Sequence, residues 1–106
     1  MAKQTIIQDQ IKDTVVTISA ANTTITPIEG VTYECTNPME SIVLQNVPTS
    51  PKEITIYFTT DSSSFTLTAP DLDDKWYYVT APEFELESEY VICISKGKAV
   101  YAKIGE

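Results

Sequence analysis

The 106-residue chain is acidic, with 15 Asp and Glu against 7 Lys, a net charge of −8, and neither arginine nor histidine. An acidic surface repels phosphate groups, so we expect no binding of nucleic acid. The missing histidine removes the commonest general base at neutral pH, and the missing arginine removes the bidentate clamp for phosphate or carboxylate substrates. These absences argue against an enzyme, and we expect no catalytic residues and no cofactor.

The N-terminal residues 1–9 lack the apolar core and cleavage site of a signal peptide. Apolar runs elsewhere extend over only a few residues, which is too short for a membrane span. We therefore expect a single domain that is made in the cytoplasm and that has no membrane partner.

Alternating apolar and polar residues predict β-strands along most of the chain. Thr, Ile and Val suit a pleated, half-buried surface, and they account for 35 of the 106 residues. In chain order, the candidate strands are 4–11, 14–19, 23–27, 31–36, 41–46, 53–60, 64–68, 75–80, 83–86, 89–95 and 99–104. Short strands with regular turns predict an all-β fold. The expected type is an antiparallel β-sandwich, jelly-roll or Ig-like, over 21–106, with an N-terminal arm or strand for assembly over 1–20.

The same period of two predicts which side chains form the core. Ile54 and Ile56 share one face of their strand, while Thr55 lies on the other face. The predicted core residues are Ile54, Ile56, Phe58, Phe65, Leu67, Tyr90, Ile92 and Ile94.

Turn residues punctuate the predicted strands. Lys96 and Gly97 lie between two alternating runs and predict a tight hairpin in which Gly97 supplies a positive φ. A turn followed by a strand that begins near a tyrosine occurs twice, at 28–35 and at 86–93. We interpret this echo as similar turn chemistry rather than a true repeat.

The two cysteines, Cys35 and Cys93, are too few for a disulfide scaffold or a zinc site. Both lie in predicted strands, where a free cysteine behaves as a small apolar residue. We interpret both as free thiols, with a disulfide between them as the alternative.

Trp76, Tyr77 and Tyr78 are the best candidates for a ligand platform. Aromatic faces stack on sugar rings, and neighbouring carboxylates accept hydrogen bonds from sugar hydroxyls. Consecutive residues on a strand point to opposite faces, so either Trp76 and Tyr78 point inward and Tyr77 outward, or the reverse. We expect core packing for one set, which leaves the outward set for carbohydrate on a host surface.

Carboxylates flank these aromatic residues on both sides. Asp71, Asp73 and Asp74 lack the spacing and the glycine of a calcium loop, so a solvated turn after Pro70 explains them and we expect no bound metal. A second group of carboxylates comprises Glu83, Glu85, Glu87 and Glu89. These glutamates alternate with apolar residues, so we expect the carboxylates to project into solvent while the apolar residues face the core.

The order of strand and turn motifs resembles a known domain. The motifs are Gly30–Tyr33, Ser41–Leu44, Ile54–Phe58, Phe65–Leu67, Pro70, Trp76, Pro82–Phe84, Glu89–Ile94 and Ala99–Val100. Together they resemble a small β-sandwich domain that recurs in structural proteins of tailed bacteriophages, particularly phages of gut bacteria. The resemblance covers residues 22–104. It implies a place in the virion after synthesis in the host cytoplasm, and it implies no catalytic residues.

The resemblance favours a bacteriophage virion protein that adds to the head as a decoration protein, an auxiliary capsid protein or a head fibre. A tail or neck structural protein is the second interpretation, and a carbohydrate-binding module is the third. Ile6, Ile7 and Ile11 have no place in the matching sandwich, and an exposed apolar arm is unfavourable. We therefore expect these three residues to pack on another chain. The expected partners are copies of this chain and other virion proteins of the capsid or tail.

Overall fold

The computed structural model describes residues 14–105, and over that range the fold is all-β, as predicted. Its elements are β1 Val15–Ile18, β2 Asn22–Ile25, β3 Thr32–Cys35, β4 Ser41–Leu44, β5 Ile54–Thr59, β6 Thr66–Thr68, a 3-10 turn at Pro70–Leu72, β7 Glu89–Ser95 and β8 Lys98–Ile104. The strands form two sheets. The large sheet has the order β1-β3-β5-β7-β8, and the small sheet has the order β2-β4-β6.

The first six strands alternate between the two sheets, so the chain winds in three coils. Coil 1 consists of β1 and β2, coil 2 of β3 and β4, and coil 3 of β5 and β6. Successive coils pair in parallel, with Val15 beside Thr32 in the large sheet and Asn22 beside Ser41 in the small sheet. Parallel neighbours need a long crossover connection, and here a strand of the opposite sheet is part of it. This winding is that of a short β-solenoid.

After coil 3 the direction of pairing changes. β7 pairs antiparallel with β5, and β8 pairs antiparallel with β7. Lys96 and Gly97 close the β7–β8 hairpin with φ angles of 56° and 73°. Both angles are positive, as a two-residue hairpin of type I′ requires. The hairpin predicted at these two residues is confirmed.

The antiparallel arrangement predicted for the whole fold is wrong for four strand pairs. β1–β3, β3–β5, β2–β4 and β4–β6 are all parallel. Alternation along a strand reveals which face is buried, but it does not encode the direction of the neighbouring strand. A short connection such as 19–21 resembles a hairpin turn in the sequence, yet it carries the chain from the large sheet to the small sheet.

Inward-facing side chains of both sheets form one hydrophobic core. Tyr33, Ile56 and Ile92 lie side by side across β3, β5 and β7, and all three are buried. The predicted register is confirmed, because the buried residues include Ile54, Ile56, Phe58, Tyr90, Ile92 and Ile94. Two further predicted core residues pack against this cluster while remaining partly exposed, namely Phe65 and Leu67.

A long connection, residues 69–88, joins β6 to β7 and contains only the 3-10 turn. The strands predicted at 75–80 and 83–86 are therefore absent. The predicted strand at 4–11 lies outside the described residues. Residues 15–18, which belong to the predicted arm, form β1 and pair with β3.

The connection departs from strand geometry because its backbone turns repeatedly. Only Trp76 within it makes an isolated β-bridge, to Ala99 of β8. Elsewhere the backbone enters the left-handed region, which interrupts an extended chain. The residues of the connection with positive φ are Asp74, Tyr78 and Glu87.

Candidate functional site

Both tyrosines of the Trp76-Tyr77-Tyr78 run point to solvent, whereas the tryptophan packs inward. Trp76 contacts the core and meets the Tyr101 ring edge-to-face, with 5.9 Å between ring centroids. Tyr77 is 49% exposed and Tyr78 is 94% exposed. The predicted alternation is wrong at this point because the segment is not a strand. The φ of 71° at Tyr78 leaves its ring beside that of Tyr77.

A groove of about 350 Å³ lies next to the two tyrosines, and we call it the tyrosine groove. Its lining includes Tyr77, Tyr78, Glu83, Glu85 and Lys103, together with residues of β8. The two tyrosine rings are 6.0 Å apart and inclined at 43°, so they form adjoining faces rather than a parallel stack. The groove thus combines two aromatic faces with two carboxylates and one ammonium group.

The first tyrosine is fixed at the edge of β8. The N–H of Tyr77 donates to the carbonyl of Ala99 at 2.8 Å, and the N–H of Ala99 donates to the carbonyl of Lys75 at 3.0 Å. The Nζ of Lys98 lies 5.9 Å from the centroid of the Tyr77 ring, within reach of a cation–π interaction. These contacts hold Tyr77 in place while half of its surface stays accessible.

Tyrosine hydroxyl groups fix the far side of the groove. The N–H of Glu83 donates to the hydroxyl of Tyr101 at 3.1 Å. The N–H of Glu85 donates to the hydroxyl of Tyr90 at 2.8 Å. Because backbone groups of the connection are bound to side chains of β7 and β8, the groove is organised before any ligand arrives.

Phe84 anchors the same segment through its ring. It lies in the core side of the connection, between the backbone groups that Tyr90 and Tyr101 hold. Its ring centroid is 4.9 to 5.6 Å from those of four other aromatic residues, namely Phe58, Phe65, Tyr90 and Tyr101. Edge-to-face and tilted contacts of this kind add to the stabilisation from burial.

The buried side chain of Thr60 binds the C-terminal end of the connection 69–88. It is only 1% exposed, yet its hydroxyl is well satisfied. The hydroxyl donates to the carbonyl of Glu85 at 2.6 Å and accepts from the N–H of Ser88 at 3.0 Å. A buried hydroxyl with both partners in place contributes to a defined loop conformation.

The predicted row of glutamates is not the outer face of a strand. Phe84 packs inward as expected, but Leu86 is 44% exposed, so the prediction that it faces the core is wrong. Glu85 forms an ion pair with Lys103 of the same chain at 2.7 Å. The hydrogen bond from Lys103, followed by its positive charge, lowers the pKa of Glu85.

A second candidate surface, besides the tyrosine groove, lies at coil 1. It is at the opposite edge of the large sheet from β8. β1 is the edge strand of the large sheet and β2 the edge strand of the small sheet, within residues 14–105. The carbonyl of Ile18 accepts from the N–H of Thr36 at 2.9 Å. Since backbone groups alternate in direction along a strand, those of Val15 and Thr17 point away from β3.

The same reasoning applies to the small sheet. The carbonyl of Ile25 accepts from the N–H of Gln45 at 3.0 Å. The backbone groups of Asn22 and Thr24 consequently point away from β4. Both sheets therefore present outward-facing strand edges at coil 1.

Coil 1 lacks the charges that usually protect a sheet edge. Residues 14–28 contain no Asp, Glu or Lys, although the whole chain has 22 such residues. Val15, Val16 and Ile28 are 54%, 38% and 59% exposed. Natural edge strands commonly carry charged residues, which discourage pairing with another chain. We call this uncharged end of the fold the open coil.

The aspartates near the 3-10 turn behave as turn residues. The carboxylate of Asp71 accepts a hydrogen bond from the N–H of Val47 at 3.0 Å, and Asp73 and Asp74 are exposed. Within residues 14–105, no three His, Cys, Asp or Glu side chains converge in a way that would hold a metal ion. No helix in that part of the chain is long and apolar enough to cross a membrane.

Both cysteines are free thiols. Cys35 of β3 and Cys93 of β7 are separated by β5, and the register also offsets them by three residues along the strands. The two strand spacings alone amount to about 10 Å, which is already beyond the roughly 7 Å that a disulfide spans. Burial raises the pKa of the Cys35 thiol to about 11. The pKa of Cys93 is also raised, first by burial and then by the nearby Glu53 carboxylate.

Ile6, Ile7 and Ile11, the predicted assembly residues, lie outside the described residues. The open coil follows them directly in the chain, and sequence reasoning missed it as a surface. The signal was the run of uncharged residues at 14–28. Comparisons of the chain with models of protein families, with curated proteins and with solved structures found no match.

Proposed function

We propose that this chain is a structural subunit of a bacteriophage virion, added to the head as a decoration or head-fibre protein, and that it acts by assembly rather than catalysis. The order of its motifs supports a virion protein through the resemblance given above. The open coil supports assembly, because it offers two strand edges and exposed apolar side chains to another chain. The open coil is the observation that carries the proposal.

The open coil suits a second copy of the same chain. A two-fold axis perpendicular to the sheets would place β1 antiparallel to β1 of the second copy and β2 antiparallel to its β2. In that arrangement the outward backbone groups of Val15 and Thr17 bond across the contact, as do those of Asn22 and Thr24. Both sheets then continue without a break, and a self-complementary contact of this kind closes as a dimer.

Charge favours this contact over others between two copies. Each chain carries a net charge of −8, so most pairs of surfaces would bring carboxylates together. The open coil contains no charged residue over 14–28 and avoids that repulsion. The apolar residues Ile6, Ile7 and Ile11 precede it in the chain and would reach a partner bound there.

Mass spectrometry and sedimentation of purified particles test the virion role. We expect the chain to co-sediment with particles through a density gradient and to occur in many copies per particle. Labelling of the particles with an antibody then separates the head from the tail or neck. Absence of the chain from purified particles, with free chain in the supernatant, would contradict the virion role.

Charged substitutions on the edge strands test the contact. Thr17→Lys together with Thr24→Lys places a charge on each sheet edge of the open coil, and we expect the dimer dissociation constant to rise at least about tenfold. Thr66→Lys, on the edge strand at the other side of the small sheet, is the matched control and should leave the dimer unchanged. Sedimentation equilibrium measures the mass of each variant.

Deletion of residues 2–13 completes the test. We expect the truncated chain to lose incorporation into particles, because the predicted arm is removed. A wild-type chain that is monomeric at high concentration, and that becomes dimeric only after the deletion, would show that its own N-terminal segment occupies the open coil. That result would overturn the two-fold contact and leave the virion role to the particle experiment.

A further inference from the structure

We infer that the tyrosine groove is a binding site for a neutral oligosaccharide. The inference is independent of the proposed virion role, because it rests on a different surface. Its starting point is the pair of exposed rings at Tyr77 and Tyr78, whose centroids are 6.0 Å apart. Aromatic faces with neighbouring hydrogen-bonding groups suit the mixed apolar and hydroxyl surface of a sugar ring.

The backbone holds Tyr78 outward at an energetic cost. Its φ of 71° is rare for a bulky residue, because Cβ and the backbone crowd each other in the left-handed region. An unstrained strand would have turned one of the two rings toward the core. Strained residues of this kind concentrate at ligand sites, where the surrounding structure maintains them. The strain at Tyr78 therefore points to a use for its 94% exposed ring.

The groove is built on a fixed segment. Tyr77 is bound to Ala99 through its N–H at 2.8 Å, and Glu85 is bound to the hydroxyl of Tyr90 at 2.8 Å. Phe84, between these two points, packs among buried aromatic rings. A site that is already ordered loses little conformational entropy on binding, which matters for a shallow groove with a weakly bound ligand.

The polar groups of the groove define the class of sugar. The carboxylates of Glu83 and Glu85 accept hydrogen bonds from hydroxyl groups, and the ammonium of Lys103 donates to them. Lys103 is already paired with Glu85 at 2.7 Å, so it does not offer an uncompensated positive charge. An anionic sugar would face the carboxylates of an acidic protein, and we therefore assign a neutral one.

The volume of the groove agrees with a short segment of a glycan. At about 350 Å³ it falls near the lower end of the range for ligand sites, which is roughly 300 to 1,000 Å³. Tyr77 and Tyr78 are inclined at 43°, so they present two faces to consecutive sugar rings rather than one face to a single ring. An oligosaccharide should consequently bind more tightly than its monosaccharide.

The test uses the full chain and a panel of neutral trisaccharides built from glucose, galactose, mannose or N-acetylglucosamine. Chemical-shift changes in NMR spectra report both affinity and location. We expect at least one trisaccharide to bind at millimolar concentration or below and to shift the amides of Tyr77, Tyr78 and Glu85. The inference would be overturned if no member of the panel bound at 20 mM. In that case any binding free energy would be weaker than roughly −2 kcal/mol.

Variants show whether the rings carry the binding. Tyr77→Ala and Tyr78→Ala should each weaken binding by about tenfold, since stacking on an aromatic ring is worth about 1 kcal/mol or more. Tyr57→Ala is the matched control, because Tyr57 is 39% exposed on the outer face of β5. It should leave the affinity unchanged. Equal losses in all three variants, or no loss at either groove tyrosine, would contradict the assignment.

A negatively charged derivative of the ligand tests the sign of the electrostatic potential in the groove. For the trisaccharide that binds, replacement of one terminal sugar by its uronic acid should weaken binding several-fold at low salt. Glu83→Gln should reduce that difference, because it removes one carboxylate from the groove. Tighter binding of the uronic acid would show that Lys103 dominates, and it would overturn the assignment of a neutral ligand.

Discussion

The hydroxyl of Tyr90 accepts a hydrogen bond from the backbone N–H of Glu85, five residues upstream, at 2.8 Å. Tyr33 does the same for the N–H of Ile28, also five residues upstream, at 3.0 Å. Both tyrosines are buried near the start of a strand. The two sequence segments that echo each other are 28–35 and 86–93, the second with Glu85 immediately ahead of it. In both, the hydroxyl of a strand tyrosine binds the backbone of the turn that leads into the strand.

Replacing Tyr90 by Phe should lower the free energy of unfolding by about 1 to 2 kcal/mol, because the N–H of Glu85 then lacks its acceptor. The ring stays, so the aromatic contacts are preserved. Tyr77→Phe is the matched control, and at a half-exposed position it should change stability by about 0.5 kcal/mol or less. Urea denaturation followed by circular dichroism measures both. Equal stability of Tyr90→Phe and the wild type would contradict the role of the hydroxyl.

Ile92→Ala should destabilise the fold by about 2 to 5 kcal/mol, because Ile92 is fully buried in the centre of the large sheet and leaves a cavity. Val91→Ala shortens a partly buried side chain on the other face and should cost about 1 kcal/mol or less. Chemical denaturation of the two variants compares the faces of β7. A larger loss at Val91 than at Ile92 would reverse the register described here.

Gly97→Ala should lower stability by about 1 to 2 kcal/mol, since an L-residue is strained at φ of 73°. The added Cβ would also lie 3.2 Å from Cγ2 of Thr49, which must shift. Gly105 provides the comparison, because it also has positive φ but has nothing within 4 Å of an added Cβ. It follows β8, so Gly105→Ala should cost less. Melting temperatures of the two variants test this order.

Stability should fall between about pH 9 and pH 11 because of Cys35. Burial raises the pKa of its thiol in the folded chain from 9.0 to about 11, so the unfolded chain loses its proton first as pH rises. The contribution is fully present below pH 9 and is lost as pH approaches 11. Cys35→Ala should show a shallower fall in melting temperature over this window. Parallel curves for the variant and the wild type would show that Cys35 does not titrate in this way.

The sequence predicted the strands and their buried faces well wherever alternation was strong. In β5 and β7, apolar residues at every second position can be buried only on one face, and this determined the side on which Ile56 and Ile92 lie. The hairpin at Lys96 and Gly97 was predictable because a glycine between two alternating runs has few other conformations. These features depend on local chemistry alone.

The winding of the chain was not predictable in the same way. Whether the residues after β1 return beside it or cross to another sheet depends on contacts with strands much later in the chain. Met39 and Leu72 are fully buried although neither lies in a strand, so no periodic pattern marked them. The pairing of Tyr77 with Tyr78 escaped prediction because it depends on one backbone angle at Tyr78.

The two ends of the described chain lie on opposite edges of the large sheet, since β1 and β8 are its outer strands. Four strand spacings separate them, or about 19 Å. A peptide fused after Gly105 would therefore start at the edge remote from coil 1, away from the proposed contact between copies. A peptide inserted just ahead of β1 would lie on that contact. For a fused cargo, the C-terminal side of β8 is the attachment point that lies farther from the open coil.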